Sequence, residues 1–469
     1  MTILSNREKY RINECSLEVL ESIGVRVESE EITEKMIKAG AKPSQDKRVV
    51  YLPEKIVKDY MMKTPSSVKL ENLDGKSVIL SPKGETVFWT CNALYISEDR
   101  KARDITSPDF VNLTRIADSL ENVHAMVGTS IADYPPQTRD FVGFRLMAEN
   151  TRKHLRPVIF TPNGVKAMIE MANVLLDGQP IEEHPIFSLG YTSLSPPWWS
   201  KTALESFQNS SGHRIPLMIN GEPMAGGTAP ITLAGTLVLA NAEVLSGIVI
   251  AQVLEEVRPC IYNVGFAHVL DMQNLSVAWT GSPENALIAA AGAEMAQFYS
   301  LPSASWMCTE SMMADSQNAY EKMSTGLMWA LSGVNIIWGI GSLESEKSIS
   351  PEMMVIDNEV AGIINRIKRG IEVDEDTLAL DLIKEVGLKS NYITTKHTIK
   401  RFRKEIRFSK LSNRNNRSTW EEQGSKSVEE RAKDEVRKIL VTKHEKCLTP
   451  EQERKLLEIE KKWRDRLAG

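Results

Sequence analysis

Short apolar runs alternate with longer, helix-like stretches through the middle of the chain. Seven mostly continuous apolar runs predict buried strands, namely Val123–Ile131, Val158–Thr161, Ile186–Leu189, Ile215–Asn220, Cys260–Gly265, Ser303–Met307 and Val334–Ile340. The stretches between them predict helices, among them Val165–Leu176, Leu233–Leu254, Pro283–Tyr299 and Asn318–Leu331. The runs start about 28 to 45 residues apart, as expected for strand–helix units of about 30 residues or more. This alternation indicates a parallel sheet covered by helices.

Seven such units, with an eighth strand that the pattern does not place, predict an α/β fold built on a closed (β/α)8 TIM barrel of about 250 residues. An open, doubly wound sheet has the same alternation and stays the alternative. We therefore predict three parts. Residues 1–104 form an N-terminal α+β extension, residues 105–395 the barrel, and residues 396–469 a charged helical extension.

The two ends of the chain differ from the middle. The N-terminal part predicts two helices and several short strands: Asn13–Ile23, Ile32–Ala39, Val49–Leu52, Val68–Leu70, Val78–Leu80 and Val87–Ile96. The last 74 residues contain 22 Lys/Arg and 13 Asp/Glu, and Val428–Leu440 and Pro450–Leu467 predict charged helices. A basic tail can hold an acidic partner. We favour the simpler interpretation, in which these helices pack one apolar stripe on the barrel.

The overall charge is nearly balanced, with 57 Lys/Arg against 62 Asp/Glu. This balance gives no footprint for nucleic acid. The longest apolar stretch, Leu237–Leu254, is interrupted by Asn241, Glu243 and Gln252, so we expect no membrane span. The N-terminus reaches a charge at Arg7 without a cleavage site, which argues against a secretory signal and favours a cytoplasmic location.

Cysteine and histidine patterns exclude further classes of site. The five Cys and seven His form no C-x-x-C and no H-E-x-x-H. We therefore expect neither a disulfide framework nor a bound metal. The chain has no G-x-x-x-x-G-K, and no G-x-G-x-x-G opens a predicted helix. Nucleotide-dependent chemistry is accordingly disfavoured.

Residues directly after the strands are the candidates for chemistry, because loops at the carboxyl ends of the strands carry the active site of such a barrel. No Lys directly follows a predicted strand, so a Schiff-base aldolase or lyase has little support. Aromatic residues are concentrated there instead: Tyr191, Trp198, Trp199, Phe266, Trp306 and Trp338. Such rings attract a quaternary ammonium, at about 0.5 to 2 kcal/mol per ring. We predict a cation cage, the alternative being that the rings only fill the helix–barrel interface.

Several sequence blocks resemble one known family, the trimethylamine methyltransferase superfamily. They are Gly226–Thr236, Asn241–Glu243, Gly281–Glu284, Asp315–Lys322, Ser350–Glu352 with Ile356–Glu359, His397–Thr398 with Phe402–Glu405, and Trp420–Glu421 before Gly424. These blocks lie in the right order over nearly the whole chain. The family's implied fold is a (β/α)8 barrel, as the pattern predicts. Founding members carry pyrrolysine, whereas this chain contains only the standard twenty residues, so it resembles the non-pyrrolysine members.

What this resemblance implies is corrinoid-dependent methyl transfer from a quaternary amine. The expected substrate is glycine betaine, giving dimethylglycine, with proline betaine, carnitine and γ-butyrobetaine as alternatives. The methyl acceptor would be Co(I) of a cognate corrinoid protein, so we expect no cofactor bound by this chain. A quaternary substrate leaves as a neutral amine that needs no proton, and we assign no catalytic residue. We also expect a homo-oligomer. A non-catalytic betaine-binding protein is the alternative of another class.

A betaine also carries a carboxylate, which needs partners of its own. The candidates are His268 and Asn220, each close to a strand end, and the backbone N–H groups of Gly226–Thr228 ahead of a helix. Helix N-termini favour anions. A purely structural His268 is an equal alternative. Three acidic residues after strands, Glu222, Glu310 and Glu344, can assist the cation but would repel the carboxylate.

Overall fold

Eight parallel strands close into a barrel in the computed structural model, which describes residues 2–273, 275, 278–388 and 391–468. They are β1 Val87–Thr90, β2 Val123–Val127, β3 His154–Arg156, β4 Leu189–Thr192, β5 Leu217–Asn220, β6 Cys260–Asn263, β7 Ala304–Trp306 and β8 Ile336–Ile340. Parallel pairing runs around the ring and β8 pairs with β1. Single parallel bridges, Leu155 to Phe187 and Tyr262 to Ser303, join β3 to β4 and β6 to β7. The closed barrel is confirmed and the open sheet is excluded.

A helix follows each strand. The eight are α1 Ser107–Ser119, α2 Arg139–Asn150, α3 Pro162–Leu175, α4 Lys201–Asn209, α5 Leu233–Leu254, α6 Pro283–Phe298, α7 Ser316–Ser332 and α8 Pro351–Arg369. Local sequence explains where five of them begin. A Ser, Thr or Asp side chain at the N-cap accepts a backbone N–H three residues on, which satisfies a donor that the helix leaves free; these caps are Thr161, Ser200, Ser282, Asp315 and Ser350.

Two strands differ from the prediction. The eighth strand, which the pattern did not place, is β1. It lies in the region that we assigned to the N-terminal extension. There the predicted strand Val87–Ile96 divides into β1 and a separate strand, Tyr95–Glu98. The third strand is His154–Arg156 rather than Val158–Thr161. The apolar pattern did not reveal this strand, because two of its residues, His154 and Arg156, are polar although they are buried.

The barrel interior is filled by alternate strand residues, as the two-residue period of a strand requires. One buried cluster contains Val87 and Trp89 of β1, Ala125 and Val127 of β2, Ala304 and Trp306 of β7, and Ile336 and Trp338 of β8. A hairpin, Val68–Glu71 with Ser77–Leu80, adds Val68, Leu70 and Leu80 to the same cluster. The larger rings Trp306 and Trp338 lie at the later position of each pair, towards the carboxyl ends of the strands, where the site is expected.

The N-terminal part packs outside the barrel. Its helices are Asn6–Ser22, Glu30–Lys38 and Glu54–Lys63, and a small sheet combines Val25–Val27, Lys42–Pro43, Val49–Tyr51 and Trp198–Trp199. These helices contact α5. Within the described residues, α5 alone is long and apolar enough to cross a membrane, and 78% of its 18-residue window is buried inside the protein. Its apolar surface is therefore used in packing.

The tail helices pack on the barrel. Val428–Val441 contacts α8, and Pro450–Ala468 contacts α3 and α2. Arg145 of α2 and Glu460 form a buried ion pair of 2.5 Å. The preferred interpretation of the tail is confirmed for these two helices. Another short helix, Arg417–Glu422, lies before them.

A segment that we call the arm, residues 371–408, packs differently. Its helices Glu375–Leu378, Leu380–Val386 and Lys396–Glu405 have no buried residue among those described. Its exposed large apolar residues are Ile371, Val373, Leu378, Leu380, Ile383, Leu388, Tyr392, Ile393, Ile399, Phe402, Ile406 and Phe408. So many exposed apolar side chains on one segment indicate an interaction surface.

Candidate active site

A cavity of about 400 Å³ lies at the carboxyl ends of the barrel strands. Its lining includes six of the predicted site residues: Tyr191, Asn220, Glu222, Phe266, Trp306 and Trp338. Two further charged residues line it that the sequence did not reveal, Arg156 and Glu346. Cavities of this size accommodate small ligands. Six residues predicted from the strand ends therefore line one cavity.

Three rings, Phe266, Trp306 and Trp338, form what we call the aromatic trio. The Phe266 centroid lies 4.7 Å from that of Trp306 and 5.2 Å from that of Trp338, and the two indoles are 6.5 Å apart. All three rings are at most 8% exposed. The indole N–H groups of both Trp residues are buried without a hydrogen-bond partner among the described residues. The trio thus presents ring faces to the cavity that suit a cation. Its two indole N–H donors have no partner among the described residues.

Arg156 ends β3 and is only 5% exposed. Its Nη1 donates to the carbonyl of Pro157 at 2.5 Å, and its Nε has no partner among the described residues. Its guanidinium carbon lies 5.9 Å from the centroid of Trp338. Burial lowers the pKa of Arg156 to about 10, so the group is still a cation at neutral pH. The cavity therefore contains a buried positive charge beside the trio.

Glu346 is buried at 8% exposure, and its Oε1 has no partner among the described residues. Burial raises the pKa of Glu346 well above its ordinary value, and the negative charge of Glu222 adds to that shift. The turn that places it is strained, since Glu344, Ser345 and Glu346 have φ values of 54°, 51° and 69°. Non-glycine residues rarely adopt this region and cluster at functional sites when they do.

Glu222 connects the cavity with a second buried carboxyl group. Its side chain is 43% exposed and lies 3.5 Å from Nε2 of His268. Its backbone N–H donates to Glu243 of α5 at 3.1 Å. Burial raises the pKa of Glu243 to about 8. Because Glu222 lines the cavity and is partly exposed, the cavity reaches the surface here.

The raised pKa of Glu243 predicts a pH-dependent stability. The folded state holds a proton that the unfolded chain loses near pH 4.5, so stability falls as pH rises from about 4.5 to 8. Glu243→Gln keeps an acceptor for Glu222 and carries no charge. Each pKa unit corresponds to about 1.4 kcal/mol, so the variant should be a few kcal/mol more stable at pH 8 and equal to the parent at pH 4. Urea unfolding at both pH values measures this; parallel pH profiles would contradict it.

Polar side chains continue around the strand ends. The Asn220 side-chain amide donates to Thr192 Oγ1 at 3.1 Å, and Asn263 donates to Asn220 Oδ1 at 2.9 Å. Both polar atoms of Asn220 are thus already paired. Tyr191 packs on Phe207, with 4.4 Å between centroids. Burial raises the pKa of Tyr191 to about 12, so it stays a neutral phenol at the cavity wall.

Trp198 and Trp199 do not reach the cavity. They pair in parallel with Arg26 and Val27 of the small N-terminal sheet. Trp199 is fully buried and its indole N–H donates to Ser246 at 2.9 Å. Trp198 is 36% exposed, and the Arg26 guanidinium lies 5.5 Å from its ring centroid. Both rings therefore contribute to packing and to the edge of the small N-terminal sheet. This agrees with the alternative interpretation, in which these rings fill space rather than bind a cation.

The other candidates have local partners. Glu310 accepts from the Thr280 hydroxyl at 2.8 Å and from the Gly281 backbone at 2.9 Å, and Glu344 accepts from the Ser348 hydroxyl at 2.8 Å. His268 stacks near Trp306, with 5.5 Å between centroids, but does not line the cavity. These contacts give Glu310 and Glu344 structural roles.

The backbone N–H groups predicted to bind an anion ahead of a helix already donate to other acceptors. Gly226 and Gly227 donate to the carbonyls of Ala229 and Met224, at 3.1 and 2.9 Å. The helix α5 begins only at Leu233, with Thr232 at its N-cap. The expectation of a helix N-terminal anion site at Gly226–Thr228 was therefore wrong. Across the described residues, no group of three or more His, Cys, Asp or Glu could hold a metal ion.

The family model described as trimethylamine methyltransferase (MTTB) matches residues 1–466. The chain is 33% identical over 444 residues to trimethylamine methyltransferase MttB of Desulfitobacterium hafniense DCB-2, covering 93% of this chain and 88% of that one. It is 31% identical over 461 residues to glycine betaine methyltransferase of D. hafniense Y51, covering 97% and 95%.

A solved structure agrees in fold. The hydroxylamine complex of MtmB superposes with a TM-score of 0.55 at 14% identity, covering 82% of this chain and 79% of that one. At that identity the likeness supports the barrel architecture alone. The match along almost the entire length, together with the relatives above 30% identity, decides the family. The chain belongs to the trimethylamine methyltransferase family and is an enzyme of the corrinoid-dependent methyltransferase type.

Proposed function

We propose that this enzyme moves one N-methyl group from a quaternary amine, with glycine betaine the first candidate, to Co(I) of a corrinoid carried by a cognate partner protein. The observation that carries the proposal is the aromatic trio lining a cavity of about 400 Å³. A quaternary ammonium has no N–H to donate, so ring faces rather than hydrogen bonds must recognise it. One relative is named for glycine betaine and another for trimethylamine.

The residues of this chain bind, orient and desolvate the substrate. The trio holds the ammonium, and the partly exposed Glu222 adds a negative charge at the rim. The C–N bond would break with its electron pair left on nitrogen, and the acceptor Co(I) would supply both electrons of the new bond to the methyl carbon. The departing amine is neutral, so no acid is required. Holding the methyl group in line with the acceptor can contribute about 7 to 11 kcal/mol.

The acceptor is supplied from outside in this proposal. A volume of about 400 Å³ lies at the lower end of the range for small-molecule pockets, about 300 to 1,000 Å³. It suits a betaine better than a betaine together with a corrin ring. The partly exposed Glu222 marks where the cavity reaches the surface, so an acceptor on a partner protein can approach the barrel mouth there.

The test is a panel of methyl donors incubated with the enzyme and a Co(I) corrinoid protein. Glycine betaine, proline betaine, carnitine and γ-butyrobetaine are compared with trimethylamine, and chromatography detects the demethylated product. We expect a tertiary amine from at least one quaternary donor and no product from trimethylamine. Tight binding of a betaine without turnover would instead support the binding-protein alternative, and turnover of trimethylamine alone would overturn the quaternary assignment.

We also propose that the enzyme self-associates through the arm. The ammonium of Lys368, at the end of α8, bonds to Thr86, just before β1. The arm therefore leaves the barrel at the end opposite the cavity, away from where an acceptor must dock. Its 7 Asp/Glu and 8 Lys/Arg nearly balance, which suits a second copy of the chain better than a highly charged partner.

Light scattering measures this association. The wild type should form a homo-oligomer, and Leu388→Asp/Ile393→Asp should lower its mass while methyl transfer persists. These side chains are 106% and 75% exposed, so the changes leave the monomer's core intact. A monomeric wild type would contradict the proposal.

We propose a cytoplasmic location for the enzyme. The chain's five cysteines are all free, and free thiols are typical of reducing compartments. A strongly reducing acceptor such as Co(I) needs the same surroundings. Cell fractionation with an antibody against the chain tests the assignment, and recovery in a membrane or exported fraction would contradict it.

A further inference from the structure

The Arg156 guanidinium is the cavity's buried cation, and it has no counter-ion in contact. Among the described residues no carboxylate lies within ion-pair distance of it; the pairs that do form involve other basic residues. Its Nε has no hydrogen-bond partner among them either. Burying a charge without a partner is costly. Such a group is expected where a ligand of opposite charge completes the site.

The fold makes room for this guanidinium. Gly190 of β4 lies beside it, and a Cβ on Gly190 would come within 2.1 Å of Arg156 Nη2. Any other residue at position 190 would thus displace the guanidinium from the barrel wall. Its carbon lies 5.9 Å from the centroid of Trp338, which holds the cation next to the trio. The fold thus fixes the position of the Arg156 guanidinium and leaves space for it.

We propose that Arg156 forms an anion subsite that binds the carboxylate of the substrate while the trio holds its ammonium. The site then selects zwitterionic betaines over simple quaternary amines. This rests on the proposed function in one respect, the quaternary nature of the substrate. Guanidinium groups bind carboxylates with paired, charge-assisted hydrogen bonds.

The neighbouring charged groups agree with this assignment. Glu346 is the buried acid in the same cavity, and burial raises its pKa, which disfavours a full negative charge that would compete with the ligand for Arg156. His268, the candidate predicted from sequence, has Glu222 at 3.5 Å. A ligand carboxylate placed at His268 would therefore meet a like charge. Arg156 faces no such neighbour in direct contact.

Calorimetry with three matched ligands tests the subsite. Glycine betaine carries both charges, tetramethylammonium lacks the carboxylate, and 3,3-dimethylbutyrate replaces the ammonium nitrogen with carbon. Arg156→Met should weaken glycine betaine and 3,3-dimethylbutyrate by about 10- to 100-fold and leave tetramethylammonium unchanged. Arg156→Lys should restore part of the affinity. Arg152→Met is the control, because Arg152 is half-buried outside the cavity and paired with Asp74; it should change none of the three.

The outcomes separate the two proposals. An equal loss for all three ligands, or no loss for glycine betaine, would overturn the anion subsite and leave the quaternary-amine proposal standing. Wild-type protein that binds 3,3-dimethylbutyrate as tightly as glycine betaine, with both weakened by Arg156→Met, would support the subsite and contradict the recognition of the ammonium. Thermal unfolding of Arg156→Met checks that the barrel is intact.

Discussion

Replacing both Trp306 and Trp338 with leucine should weaken glycine betaine binding by about two orders of magnitude. Each desolvated ring contributes up to about 2 kcal/mol to a bound cation, and about 1.4 kcal/mol corresponds to a factor of ten. Both rings line the cavity, and Phe266 contacts each of them. The double variant removes most of the aromatic surface around the ammonium. Calorimetry with purified protein measures the loss directly.

The neutral isostere separates charge recognition from packing. Because 3,3-dimethylbutyrate has the shape of glycine betaine without the positive charge, its affinity should change far less in the double variant. Trp198→Leu is the matched control, since that ring is exposed and outside the cavity; it should bind like the wild type. Equal losses for the two ligands would show that the rings act only by filling space.

Lys322→Met should destabilise the fold by about 3 to 5 kcal/mol. Lys322 of α7 and Asp357 of α8 are 1% and 0% exposed and form an ion pair of 2.5 Å. Asp357 Oδ2 also accepts from the Gly341 backbone at 2.7 Å, which ties both helices to the end of β8. Removing one member of a buried pair leaves an uncompensated charge. Urea unfolding at pH 7 gives the difference.

The paired substitution is the control. In Lys322→Met/Asp357→Leu no buried charge is left, so most of the lost stability should return. The single variant should also recover as pH falls, because burial raises the pKa of Asp357 and protonation removes its charge. A double variant as unstable as the single one would show that packing around Lys322, rather than the charge pair, is responsible.

Much of the barrel could be predicted because most of its strands are continuous apolar runs. Leu233–Leu254 matches α5 at both ends, and Pro283–Tyr299 matches α6 within one residue. The failures have a common cause. The third strand was predicted at Val158–Thr161 instead of His154–Arg156, because His154 and Arg156 are polar residues that are nevertheless buried. An apolar pattern cannot reveal such a strand. Strand β1 was assigned to the N-terminal part because a hairpin, Tyr95–Glu98 with Lys101–Asp104, separates it from α1.

The candidate site was predicted in part for similar reasons. Trp306 and Trp338 lie within two residues of the ends of predicted strands, and both line the cavity. Trp198 and Trp199 were misplaced because their partner, Val25–Val27, lies about 170 residues earlier, and nothing local signals that pairing. Glu346 escaped notice because consecutive left-handed residues in its turn place it in the cavity. Arg156 was missed together with β3.

Tracing the methyl carbon itself shows directly whether it passes from the amine to cobalt. Glycine betaine labelled with ¹³C in its N-methyl groups is mixed with the enzyme and one equivalent of a Co(I) corrinoid protein. We expect one ¹³C-methyl group on cobalt for each dimethylglycine released, and a much slower reaction with Trp306→Leu/Trp338→Leu. Cobalt without a ¹³C-methyl group after reaction with labelled glycine betaine, and with each of the other betaines labelled in the same way, would contradict the proposed methyl transfer.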